Sequence, residues 1–219
     1  MMSMSRRGTL SRERIVAAAA AVADRSGIAG VSMRTVGKEL GVEGMSLYHH
    51  LKGKDELLDA LAAWAFEQIE LPAADAEWRT AMEQRAHSAR LVLQAHPWAI
   101  GMLESRPDPS GQLLRHHDRV LGWLFNAGFS AALATHAFSA VDAFIYGFAL
   151  SESTLPFEVG QGAEADFAEE VAPDPAAYPN LMRSLGELLS DGAYSYADEF
   201  DAGLALILDA VEQRWREGS

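Results

Sequence analysis

The sequence predicts an all-α fold: a three-helix N-terminal unit in helix-turn-helix arrangement, followed by a larger helical body. Three observations lead there. Apolar residues recur at helical spacing in one segment after another, cap residues and glycines bracket those segments, and no segment alternates with period two for long enough to make a strand. The 219 residues suffice for a small domain plus a larger one, and a hydrophobic content of 49% can fill both cores.

The first helix is expected over residues 11–26. Ser11 is a suitable N-cap, Glu13 suits the positive end of the helix dipole, and Leu10 and Ile15 sit where a hydrophobic staple places them. Ile15, Ala19, Val22 and Ala23 form its apolar stripe, and Gly27 ends it. A second helix runs from Ser32 to Leu40, flanked by Val31 and Val36 and stopped by Gly41. A short third follows over about Glu43 to His50. A fourth, with Asp55 and Glu56 in its first turn, runs from Gly53 to about Ile69. Pro72 and the Ala/Asp-rich stretch 72–77 mark a junction. Beyond it, helices are expected near 77–95, 97–104, 110–127, 130–152, 176–189 and 196–216. The Gly-, Pro-, Glu- and Ala-rich stretch 153–175 reads as a mobile loop with room for one short helix.

Charge is divided unevenly along this chain. The formal net charge is −13, yet residues 1–60 hold nine Lys and Arg against seven Asp and Glu, while the remainder holds nine against twenty-four. All three lysines, Lys38, Lys52 and Lys54, lie in the first segment. Nucleic-acid binding requires a local basic patch rather than a basic chain, so the N-terminal segment is the candidate surface. The acidic remainder repels DNA from the wrong face. The chain has no cysteine, which excludes disulfides, thiolate metal sites and cysteine nucleophiles. Arg6 and Arg7 precede an apolar stretch that Asp24 and Arg25 interrupt. Neither a signal peptide nor a membrane span is expected, and the reading is of a cytoplasmic protein without a membrane partner.

The informative block is residues 31–58. Two short helices separated by Gly41 and Val42 make a helix-turn-helix by spacing alone, a weak signal by itself. The run Gly41-Val42-Glu43-Gly44-Met45-Ser46-Leu47-Tyr48-His49-His50-Leu51-Lys52-Gly53-Lys54-Asp55-Glu56-Leu57-Leu58 is denser. It closely resembles the signature of the tetracycline-repressor (TetR) family: Gly-Val, Leu-Tyr-x-His, an apolar residue, a Lys-bearing turn and Leu-Leu. The resemblance implies a DNA-reading domain over residues 1–58 with a connecting helix 53–70, and an effector-binding and dimerisation domain over 71–219.

The residues carry these roles by their own chemistry. Arg34 suits phosphate or guanine, Met45 a thymine methyl, and Ser46 base or phosphate. Thr35 offers a hydroxyl, and Gly44 a bare backbone that costs helix stability. Tyr48 and Lys54 resemble the family's phosphate contacts, which set register without reading sequence. His49 is exposed by periodicity and suits phosphate. Plainer readings exist: Tyr48 as a half-buried aromatic, Gly44 as drift, His50 as a packed histidine, Lys52 as a solvated charge. Leu47 and Leu51 are expected to face inward.

The resemblance continues through the body at lower density, on Arg106-Pro107, Gly128-Phe129-Ser130, Ser139-Ala140-Val141, Gly147, Leu150 and the run Gly203-Leu204-Ala205-Leu206-Ile207. It implies a homodimer built on helices 130–152 and 196–216. Ala131, Ala132, Ala134, Ala137, Ala140, Ala143, Gly147 and Ala149 allow close packing there, within one subunit or between two. It also implies a small-molecule pocket lined by Arg85, Ser88, Ala89, Met102, Ser105, Arg106, His117, Val120, Leu121, Phe138, Asp142, Leu181 and Leu185. Met102 stands where the family's metal-ligand histidine falls, so no metal or other cofactor is expected, and the effector is not a tetracycline–magnesium chelate. Adjacent His116 and His117 point about 100° apart on a helix and do not suit one metal. An enzyme using His87, His96, His117 or Asp142 lacks any nucleophile–base spacing. The implied function is a ligand-responsive regulator, most readily a repressor released from a palindromic operator.

Overall fold

In the computed structural model, the described residues are 9–103, 111–157, 159, 163–171, 173–190 and 194–218. Among them no strand occurs. The helices are α1 (Arg12–Ser26), α2 (Met33–Leu40), a 3-10 helix (Gly44–His49), α3 (Lys54–Glu67), α4 (Trp78–Ala95), a 3-10 turn (Pro97–Ala99) leading into α5 (Ile100–Leu103), α6 (Gly111–Asn126), α7 (Ala131–Ser153), α8 (Ala163–Val171), α9 (Pro179–Leu188) and α10 (Asp198–Glu217).

The caps explain the boundaries. The Ser11 side chain accepts from the Arg14 N–H, and Gly27 at φ 66° closes α1. Ser32 caps α2 in a reciprocal box whose third-position partner is Thr35 rather than Glu or Gln, and Gly41 ends the helix in the left-handed region at φ 68°. The Glu77 carboxylate accepts from the Arg79 and Thr80 N–H groups and starts α4. Within 153–175 the chain does form a helix, α8, and the buried Glu164 anchors it by accepting from the Tyr196 N–H at 2.9 Å.

Two cores result. One gathers Ile15, Ala19, Val36, Leu47, Leu51, Leu57 and Leu61 beneath α1–α3. The other gathers Met82, Leu93, Val120, Trp123, Leu124, Val141, Ile145, Phe200 and Leu208 between α4, α6, α7 and α10. Trp64 and Trp98 pack against both. The segment after α3 is strapped to α6, because the Pro72 and Ala73 carbonyls accept from Arg119 and from the Trp123 indole.

Helix α7 is the central element of the body. Over its most apolar stretch its mean hydropathy is 1.3, so by length and composition alone it is long enough to cross a bilayer. The expectation of no membrane span rested on the absence of an unbroken apolar run; α7 meets the length and mean-hydropathy measure even so, with 39% of that stretch buried inside the protein. Its small residues divide into two faces. Ala134, Ala137 and Ala149 are buried in the body's own core, whereas Ala131, Ala132, Ala140, Ala143 and Gly147 are exposed. On α10, Ala202, Ala205, Leu206 and Ala210 are exposed as well, Leu206 at 72%. Gly203 lets α10 press onto the Phe144 ring of α7, where a Cβ would lie 2.6 Å from it.

Candidate nucleic-acid interface and buried polar cluster

The second helix of the helix-turn-helix is only six residues long and is 3-10 rather than α. In such a helix residues i and i+3 share a face. Leu47 is fully buried, so Gly44 turns inward with it. Met45 (74% exposed) turns outward with Tyr48 (48% exposed). Gly44 therefore faces α2. A Cβ there would lie 3.1 Å from the Met33 carbonyl oxygen and 3.3 Å from the Arg34 Cα. A Cβ on Gly37 would in turn lie 3.0 Å from the Gly44 backbone. These two glycines let the 3-10 helix rest on α2, backbone against backbone. Gly44 was expected as a DNA contact; the structure gives it a packing role against α2, where it meets Gly37.

Around Met45 and Tyr48, Arg34, Thr35, Lys38, His49, Lys52 and Lys54 are exposed and Ser46 is half-buried. The Thr35 hydroxyl is already engaged with the Gly30 carbonyl at 2.9 Å and the Ser32 N–H at 2.9 Å, so it serves the protein's own backbone. The turn carrying Lys54 is fixed by Glu56, which accepts from the Lys52 N–H at 2.7 Å and pairs with Arg12 of α1 at 2.5 Å. These two contacts, the backbone one foremost, hold the Glu56 carboxyl below its ordinary pKa.

In the body, Arg85 of α4 meets His116 of α6 and Asp142 of α7. Its Nε donates to His116 Nε2 at 2.8 Å and its Nη2 donates to Asp142 Oδ1. All three are buried. The guanidinium lies 5.4 Å from the centre of the Phe138 ring, and His117 meets that ring edge-on at 4.7 Å. Burial, then the positive charge of Arg85, then His117 push His116 down to a pKa of about 3. Burial also lowers His117, and Asp142 opposes that shift.

Of the expected pocket residues, the structure thus brings together Arg85, His117, Phe138 and Asp142, and adds His116. The others lie elsewhere. Ala89 and Val120 are ordinary core, and Leu121 packs against the same core. Met102 belongs to the N-terminal core and not to the polar cluster. The Ser88 hydroxyl accepts from the Glu70 N–H at 2.8 Å and lines an open groove of about 660 Å³ with Gln84, His87 and Leu91. Leu181 is exposed and Leu185 half-buried on α9, which buries none of its residues. Ser105 and Arg106 lie outside the described residues.

A third cluster joins the two cores. Asp24 of α1 accepts from the Trp98 indole at 2.6 Å and lies 2.8 Å from His96 Nδ1. Trp64 of α3 meets His96 edge-on at 5.0 Å and stacks with Trp98 at 6.4 Å.

Residues 15–61 match the profile of bacterial regulatory proteins of the tetR family, and residues 71–215 match the tetracyclin repressor-like C-terminal domain. The HTH-type transcriptional repressor DrrR1 of Streptomyces coeruleorubidus is 32% identical over 215 residues, covering 93% of this chain and 78% of that protein. The class C tetracycline repressor of Escherichia coli is 29% identical over 207 residues, covering 93% and 91%. The TetR family protein ActR of Streptomyces coelicolor, solved in complex with actinorhodin, superposes with a TM-score of 0.77 at 23% identity, over 97% of this chain and 100% of that one.

Proposed function

The chain belongs to the tetR family of bacterial regulatory proteins, and from that premise we propose that it represses transcription as a cytoplasmic homodimer, released from a palindromic operator by a small molecule. Its function is that of a ligand-responsive, DNA-binding transcriptional regulator. The observation that carries the mechanism is the Gly37–Gly44 contact, which seats the 3-10 helix on α2 with Met45 and Tyr48 outward.

In this reading residues 1–58 are the reading head, α3 is the connection, and residues 71–219 are the body. The 3-10 helix enters the major groove. Met45 and Ser46 face base edges, Arg34 reaches base or phosphate, and Tyr48, His49 and Lys54 hold the sugar–phosphate chain. The exposed small face of α7 and the Leu206 face of α10 pair with their twofold mates. That pairing sets two heads about 34–36 Å apart, one turn of duplex. An effector in the body alters that spacing and lowers operator affinity. By linkage the operator lowers effector affinity by the same factor.

The test is a pair of variants titrated against operator DNA over a range of salt. Lys54→Ala weakens binding to every sequence and reduces the log–log salt slope by about 0.9. Met45→Ala changes which operator is preferred and leaves that slope alone. Parent-like behaviour of both contradicts the docking described.

A further inference from the structure

Arg85, His116 and Asp142 place a cation, an imidazole and a carboxylate inside the body at 2%, 3% and 8% exposure. Their charges are settled among themselves. Asp142 is committed to Arg85 Nη2, and Arg85 Nε is committed to His116 Nε2. Arginine only donates, so His116 Nε2 is an acceptor and the ring's single proton resides on Nδ1. Burial keeps the ring in that neutral state.

Two nitrogens are then left over: Arg85 Nη1 and His116 Nδ1 are buried without a hydrogen-bond partner. Both carry N–H groups, so the fully buried unmet polar atoms of this trio are donors. An unmet buried donor carries the full desolvation penalty of the group, which native interiors seldom tolerate without a water or a ligand to meet it. Aromatic surface lies alongside, since the Phe138 face is under the guanidinium and the half-buried His117 stands against the Phe138 edge.

We propose that the effector is an aromatic compound bearing an acceptor oxygen, as a carbonyl or a carboxylate, which Arg85 Nη1 grips while Phe138 and His117 flank the ring. The inference rests on the reading of the body as the effector domain and adds the chemistry of the ligand's head. A cationic head is disfavoured, because it meets the Arg85 charge and the trio's one carboxylate already pairs with that charge. A head with donors alone meets N–H facing N–H.

The experiment uses three probes on one ring: 2-acetonaphthone (neutral carbonyl), 2-naphthoate (carboxylate) and 2-naphthylmethylammonium (cation). Each is titrated calorimetrically into the full-length protein, and the same preparation is titrated against operator DNA. At least one acceptor probe is expected to be held tenfold or more tighter than the ammonium, and the comparison of ketone with carboxylate identifies which head is preferred. Arg85→Met abolishes that preference. Arg85→Met with Asp142→Leu repeats the test with no carboxylate stranded in the interior, and a melting curve confirms that it folds. The inference is overturned if no acceptor probe exceeds the ammonium, absence of all binding included, or if the preference survives in the folded double variant. Operator binding in the same preparation separates the two readings: its presence without acceptor preference overturns this inference alone, whereas its absence overturns the regulator mechanism.

Discussion

Trp98, at the start of the turn into α5, donates its indole N–H to Asp24 of α1 at 2.6 Å, and His96 Nδ1 lies 2.8 Å from the same oxygen. His96 also closes α4. Arg85 lies on that same helix, about 16 Å away at 1.5 Å per residue. Arg85 and the contact to α1 thus lie along one helix. Asp24→Ala removes the acceptor and leaves a partly buried indole N–H unmet. Stability should fall by about 1–3 kcal/mol, read by urea denaturation, while operator affinity stays within about threefold because no DNA-facing residue changes. An unchanged midpoint would mean that the three-residue contact is incidental.

Gly44→Ala tests how the 3-10 helix is seated. The substitution favours helix by about 1 kcal/mol through propensity, but its Cβ meets the Met33 carbonyl oxygen at 3.1 Å. The contact between the two backbones must open by a few tenths of an ångström, which shifts Met45 and Tyr48. Overpacking of this kind costs about 1–3 kcal/mol, and operator affinity should drop about tenfold or more in a fluorescence-anisotropy titration. Equal or tighter binding would show that propensity outweighs the contact.

Acid sensitivity follows from His116. Its folded pKa is depressed to about 3 from 6.5, and that of His117 is lowered too. Below about pH 6.5 the unfolded chain takes up protons that the folded one refuses. Stability is therefore greatest above that pH and declines as pH falls toward 3, by up to about 1.4 kcal/mol per pH unit for each such proton. The carboxyls of Glu13, Glu56 and Glu77 are lowered from 4.5 and contribute only in the acid part of that range. His116→Gln, whose amide oxygen can still accept from Arg85, should flatten the slope between pH 6.5 and 5 in denaturation measurements. A slope unchanged by the substitution would place the proton elsewhere.

The fold was legible where local chemistry decides it. Ser11 with Gly27, and Ser32 with Gly41, mark helix ends through hydrogen bonds and backbone angles confined to a few residues, and both pairs occur as read. The 3-10 character of Gly44–His49 was not legible from the run itself, and its seat on α2 depends on Gly37 of another helix. The inward leucines, Leu47 and Leu51, were legible from spacing, and Gly44 was not, since α-helical and 3-10 periods assign it to different faces. In the body, Arg85, His117, Phe138 and Asp142 came from family resemblance. His116 was weighed only as half of a metal pair, a test blind to its partner on α4. Met102 and Leu181 lie apart from the polar cluster for a common reason: position along a helix does not say which neighbouring element that face meets. Asp24 gave no signal at all, because its partners lie more than seventy positions away.

The central claim is that paired subunits present one short helix each to neighbouring turns of duplex. The direct measurement is a footprinting titration of the purified protein on the promoter region of its own gene at low salt, with the number of chains per site determined in parallel. The account predicts a twofold-symmetric protected site, half-site centres about 34–36 Å apart, and an even number of chains bound. Failure to protect any sequence, or protection of a lone half-site by a single chain, would contradict it.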